Sequence, residues 1–352
     1  MIRYTDLKST DRKNLREIIP LDKPFTLLIE PSSLCNFRCV HCFQGLGGDG
    51  YFPRSRGHMP LERFHRVLDP LRAWPGGRLK VLKLNLYGEP LLSPDFPEML
   101  RLAREADAAE RIETTSNASL LAPSLSDAMV DNRLDYLRVS VYGADAGEYR
   151  RASGSAFAPE RIRENLAYLR RAKIAAGSDR PFVAVKMLDA FDETLNGRFR
   201  EFWGGVADEL YLDPPHDWIR TGGEGFIEKH YAGERLDAAR RRLADGDTAR
   251  RACPMAFTTM AVRSDGHVSP CCVDYAGGTN LGHIDRASLP DIWRSKAWRD
   301  FQAMQLEFRK EENPSCRQCE VCRSGHYTRD DIDGVPAERL QSSAKVQPPA
   351  MY

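Results

Sequence analysis

Three cysteines, Cys35, Cys39 and Cys42, form a C-x3-C-x2-C run shortly after an apolar segment at residues 25–30. Three thiolates at this spacing can each ligate one iron of a [4Fe–4S] cube and leave the fourth iron without a protein ligand. An open iron can take a substrate or cofactor as ligand, which a closed structural site cannot. The remaining cysteines, Cys253, Cys271, Cys272, Cys316, Cys319 and Cys322, gather near the end of the chain, with none in between. Two separate metal sites are the simplest interpretation. The plainer uses of the same residues are a zinc site, which suits paired cysteines at x2 spacing equally well, or buried structural thiols.

A second stretch, Tyr87-Gly88-Glu89-Pro90, ends an apolar run at residues 79–86. Gly88 lets backbone approach closely, and a carboxylate such as Glu89 is a suitable acceptor for an ammonium group. Together the triplet and this turn resemble the radical SAM superfamily, with Tyr87 replacing the first glycine of that family's GGEP motif. The resemblance implies that S-adenosylmethionine (SAM) chelates the open iron and is cleaved reductively to a 5′-deoxyadenosyl radical. It also implies SAM-binding roles for Gly88 and Glu89 at the amino group. Ser116, Asn117 and Ser140 become candidates for the ribose hydroxyls and carboxylate. His41 stands where the family usually places an aromatic residue near the adenine.

Near the C-terminus, Cys253, Gly266 and Cys271 form a C-x12-G-x4-C pattern, followed by Cys316-Arg317-Gln318-Cys319-Glu320-Val321-Cys322. This is similar to the SPASM or shorter twitch extension, which holds auxiliary [4Fe–4S] clusters. The resemblance implies one auxiliary cluster rather than two, with Cys253, Cys271, Cys316 and Cys319 as preferred ligands. Cys272 and Cys322 are then left over, with the choice between Cys319 and Cys322 as ligand staying open.

The elements that must position these residues alternate between strand and helix. Apolar runs predict strands at 25–30, 79–86, 111–116, 136–141, 182–188 and 209–212. Helical spacing predicts helices at 60–74, 96–108, 124–132, 159–175 and 196–204, with a short one around 10–18. Such alternation indicates βαβ units and a parallel sheet. Six strands are fewer than the eight of a closed barrel, and the family's partial (β/α)6, TIM-like barrel fits the count. In that architecture chemistry lies at the C-terminal strand ends, where the triplet loop, the Gly88-Glu89 turn, Ser116, Asn117 and Ser140 all fall. The expected division is a lead-in at 1–24, the barrel at 25–215, a bridge at 216–250, an iron–sulfur domain at 251–325 and a tail at 326–352.

Composition narrows the function. Lys plus Arg number 51 against 50 Asp plus Glu, a net charge of +1, so no global attraction to nucleic acid or an anionic membrane is expected. No apolar stretch spans a bilayer, residues 1–21 are too polar for a secretory leader, and a reducing cytoplasm suits the free cysteines. The resemblance implies an external electron donor such as flavodoxin or ferredoxin. It favours hydrogen abstraction from a small polar, carbohydrate-like substrate, ending in oxidation, epimerisation or decarboxylation, as in antibiotic pathways. Modification of a ribosomally made peptide is the alternative, although residues 1–24 are too few for a leader-recognition domain. A non-catalytic iron–sulfur or zinc scaffold is the third reading, and it predicts no SAM cleavage. His216 as base, Asp217 and Trp218 are the best substrate contacts, with Lys186, Tyr142 and Arg220 behind them. Cys272 or Cys322 is a candidate hydrogen-atom donor.

Overall fold

The computed structural model describes residues 13–45, 56–216, 225–325 and 330–345. After a short helix α1 (Leu15–Ile18), six parallel strands follow: β1 (Thr26–Ile29), β2 (Leu79–Lys83), β3 (Ala109–Ser116), β4 (Tyr136–Ser140), β5 (Phe182–Leu188) and β6 (Glu209–Asp213). The helices between them are α2 (Leu61–Leu68), α3 (Phe96–Ala106), α4 (Pro123–Asp131), α5 (Ala146–Ser153), α6 (Pro159–Ala175) and α7 (Glu193–Trp203). Strand side chains alternate between faces. Leu27, Ile29, Leu82, Ile112, Leu137, Val139, Val183 and Val185 point to the helix layer and form the core with Phe64, Phe96, Leu166 and Phe199. The opposite, inner face carries the charges: Lys83, Glu113, Arg138, Lys186 and Asp213.

Sheet growth does not stop at β1. The C-terminal part holds α8 (Phe226–His230), α9 (Gly233–Gly246), α10 (Met255–Thr258), β7 (Thr259–Val262), β8 (His267–Ser269), β9 (Gly282–His283), α11 (Leu289–Arg294) and α12 (Lys296–Leu306). β7 pairs parallel to β1 with Leu27 opposite Met260, and β8 and β9 continue antiparallel, giving nine strands ordered β6-β5-β4-β3-β2-β1-β7-β8-β9. In the chain, β7 and β8 of this extension run between Cys253 and Cys271. The segment expected as a bridge forms a small apolar cluster of its own, in which Phe226, Ile227, Tyr231 and Ala239 meet Val40 and Leu188. The expected tail docks as well, since Ile332, Val335 and Leu340 pack with Leu15, Ile19 and Phe257. No helix among the described residues is long and apolar enough to cross a membrane.

Candidate active site

The loop carrying Cys35, Cys39 and Cys42 leaves β1 and is pinned from three sides. At the end of β1, the fully buried Glu30 carboxylate accepts from Tyr87 N at 3.3 Å, Ser264 N at 2.9 Å and Ser264 Oγ at 3.1 Å. Farther along, Arg38 N and Val40 N donate to the carbonyls of Ser153 and Ala152 at the end of α5. Gly154 follows that helix at φ +62°, and a Cβ there would stand 2.6 Å from the Arg38 carbonyl. Phe37 is buried among Tyr142, Tyr149 and Phe157. The Tyr142 hydroxyl bonds the Cys39 thiol, and Phe37 N lies 3.5 Å from Cys35 Sγ. Burial raises all three thiols, Cys42 to about 12. The hydrogen bonds from Tyr142 and Phe37 suit thiolate ligands, and coordinated iron would remove the protons that burial favours.

The Gly88-Glu89 turn packs directly on this loop. A Cβ at Gly88 would stand 2.2 Å from the Ser32 carbonyl, and Glu89 N donates to the Leu34 carbonyl at 2.7 Å. The Glu89 carboxylate, however, faces the end of β3. It accepts from Ser116 Oγ at 2.7 Å, Asn117 N at 2.8 Å and Leu91 N at 3.1 Å. Burial raises its pKa to about 7, while these hydrogen bonds pull the other way. Glu89 thus aligns Ser116 and Asn117. A residue that motif reading missed, Asn36, completes the arrangement: Asn117 Nδ2 donates to Asn36 Oδ1 and Asn36 Nδ2 to Ser119 Oγ. Its position immediately after the first cysteine was the available signal. Ser140 is half-buried at the end of β4, paired in register with Lys186. His41 lies 5.2 Å from the Tyr142 ring and 6.0 Å from Phe226. Burial, aided by Lys186 and His230, lowers its pKa to about 3, so the imidazole is neutral.

Inside the sheet, Lys83 meets Glu113 at 3.4 Å and Arg138 Nε donates to Thr115 Oγ1 at 3.1 Å. Lys186 pairs with Asp213; burial and Arg138 lower the pKa of its ammonium. His216 is half-buried just past β6, while Asp217, Trp218 and Arg220 lie outside the described residues.

Five of the six C-terminal thiols, Cys253, Cys271, Cys316, Cys319 and Cys322, line one cavity. Cys322, expected among the spare thiols, is thus a cavity residue, 2% exposed, and the ligand choice is four of five. Cys272 is absent from that lining. Burial raises its pKa, and Lys83 and Arg138 oppose the rise. Among the described residues no three His, Cys, Asp or Glu side chains converge on a single ion. Thiols spread around one cavity suit a cube of several irons better than one zinc.

The radical SAM superfamily model matches residues 29–190, and the model of SPASM, an iron–sulfur cluster-binding domain, matches residues 253–322. The GTP 3′,8-cyclase of Klebsiella pneumoniae (strain 342) is 28% identical over 270 residues, 74% of this chain and 72% of that protein. Among solved structures, BtrN in complex with AdoMet and 2-DOIA superposes with a TM-score of 0.54 at 16% identity, covering 88% of this chain and 98% of that one. SuiB of Streptococcus suis, bound to the precursor peptide SuiA, superposes at 0.61 and 16% identity, covering 91% of this chain and 77% of that one. At such identities the structural likeness establishes the fold.

Proposed function

Since this chain belongs to the radical SAM superfamily and ends in a SPASM iron–sulfur domain, we propose that it abstracts hydrogen from a small polar, carbohydrate-like substrate and returns hydrogen from Cys272, an epimerisation. In this reading Cys35, Cys39 and Cys42 hold the open [4Fe–4S] cluster, and four of the five cavity thiols hold an auxiliary one. SAM supplies the radical that removes a hydrogen atom. Gly88, Glu89, Ser116, Asn117, Ser140 and His41 frame the SAM site, with Glu89 acting through Ser116 and Asn117. Lys83, Glu113, Arg138, Lys186 and Asp213 bind and orient substrate hydroxyl or acidic groups, and His216 borders the mouth.

The observation that carries the reading is the placement of Cys272. Cys272 stands outside the lining of the cavity that the other five C-terminal thiols share, and within electrostatic reach of Lys83 and Arg138. A thiol gives up a hydrogen atom readily. Donation to the substrate carbon leaves a thiyl radical on Cys272, which regains one electron and one proton from a ferredoxin- or flavodoxin-class reductant before the next turnover. The GTP named for the curated relative and the 2-DOIA named for BtrN are small molecules, in keeping with this substrate class.

The test is turnover in D2O with a panel of aminocyclitols and sugars. Epimerisation places one solvent deuterium on the inverted carbon, because the Cys272 thiol exchanges with solvent. The Cys272→Ala variant should form 5′-deoxyadenosine but no epimer. An oxidised product without solvent deuterium would replace this reading with dehydrogenation. Activity only on a peptide would replace the substrate class.

A further inference from the structure

Two side chains in the auxiliary cavity are oriented toward its sulfurs without being ligands. Lys310 begins a short turn after α12, yet its ammonium folds inward. Nζ donates to the Cys319 carbonyl at 2.9 Å and lies 4.0 Å from Cys322 Sγ. Gln305, on α12 and 1% exposed, donates from Nε2 to Cys316 Sγ at 3.5 Å and accepts from Cys253 N at 3.4 Å. Both residues line the cavity with the five thiols. Two carboxylates stand against them: Asp274, 2% exposed, lines the cavity and accepts from Thr279 N and Ser315 Oγ, and Glu320, between Cys319 and Cys322 in sequence, lies 3.7 Å from Lys310 Nζ and is 51% exposed.

We infer that Lys310, assisted by Gln305, sets the reduction potential of the auxiliary cluster, and that Glu320 offsets it. The inference rests on the reading of this cavity as a cluster site. Reduction adds one negative charge to a cluster already bearing four thiolates. An ammonium at the sulfurs favours that added charge, and N–H···S bonds spread it, so both raise the potential. The Glu320 carboxylate acts in the opposite sense, more weakly because solvent screens it. A buried amide and an inward-folded lysine with their donors on two different thiols are more than loop closure requires. The cavity is built to hold a cluster easier to reduce than its thiolates alone would make it.

The experiment is a potentiometric EPR titration of the full chain after anaerobic reconstitution, following the signal that added SAM does not perturb. Lys310→Met should lower the ratio of reduced to oxidised cluster at a fixed potential about tenfold, which is 59 mV for one electron. Glu320→Gln should raise it by a smaller factor, about threefold, because that carboxylate is half-exposed. Opposite shifts with unchanged iron content support the inference, since a purely structural role gives no such sign reversal. Unmoved potentials, or shifts of the same sign, overturn it. Should Lys310→Met fail to retain iron, Lys310→Arg and Glu320→Gln decide alone: an unshifted Glu320→Gln overturns it. A wild-type protein with about four irons and no SAM-insensitive signal removes the auxiliary cluster itself, a different failure from eight irons with fixed potentials.

Discussion

The Tyr87 hydroxyl donates to the Cys271 carbonyl at 3.3 Å across 184 residues of sequence. The phenol is buried, its ring lies 4.9 Å beneath the Arg263 guanidinium, and Phe43 meets it edge-on at 5.5 Å. Tyr87 stands where the family motif has a small glycine, and its size bridges the Gly88-Glu89 turn to the loop that carries Cys271. One hydrogen bond of this kind contributes about 1 kcal/mol. Tyr87→Phe should therefore lower the unfolding free energy by about that amount in anaerobic urea denaturation, while SAM cleavage persists. An unchanged midpoint would mean the hydroxyl contributes nothing to the join.

Gly88 permits a closer approach than any side chain allows. Because an added Cβ would stand 2.2 Å from the Ser32 carbonyl and 2.5 Å from that of Leu34, Gly88→Ala must displace the backbone leading into Cys35. Reconstituted Gly88→Ala should lose the open cluster, about four irons per chain, and with it 5′-deoxyadenosine formation. Full iron with normal SAM cleavage would show that the loop moves freely.

Much of this arrangement was legible in the sequence because it is local. The apolar runs of β5 and α6 gave their bounds to the residue, and the cysteine spacings separated the triplet loop from the thiols of the C-terminal cavity. Helix α5 was not visible: only Tyr149 and Ser153 along it are buried, so it lacks an apolar stripe. Yet its last carbonyls hold Arg38 and Val40 in place. Likewise, β7 reads as half of a local hairpin, while its parallel pairing with β1 is a long-range contact that no local pattern encodes. That Cys271 lines the cavity and Cys272 does not is a matter of tertiary placement in an irregular loop, which spacing cannot reveal. The orientation of Glu89 toward Ser116 and Asn117 belongs to the same class.

Glu89 predicts a pH dependence. Its folded pKa, about 7, lies above the ordinary carboxylate value of 4.5, because burial disfavours the charged form. Between those values the folded state binds more protons than the unfolded one, so stability falls as pH rises through this window. Glu89→Gln carries no titrating group, so its denaturation midpoint should change less between pH 4.5 and pH 7 than that of the wild type, both measured without SAM. Parallel profiles would assign the dependence to other groups, of which Glu30, also raised by burial, is the next to replace.

The division of the cysteines makes the strongest prediction. Cys35, Cys39 and Cys42 share a loop held by β1, α5 and the Gly88-Glu89 turn, whereas Cys253, Cys271, Cys316, Cys319 and Cys322 line a cavity beside α10 and α12. Replacing the three loop cysteines with alanine leaves that second donor set untouched. The triple variant should therefore fall from about eight irons per chain to about four and produce no 5′-deoxyadenosine. Alanine at Cys253 and Cys271 should remove the other four irons and leave reductive SAM cleavage, uncoupled from product. Persistent 5′-deoxyadenosine in the triple variant would show that the open iron lies elsewhere. Zinc in place of iron in the wild type would return both sites to structural roles, for zinc has no redox chemistry with which to cleave SAM.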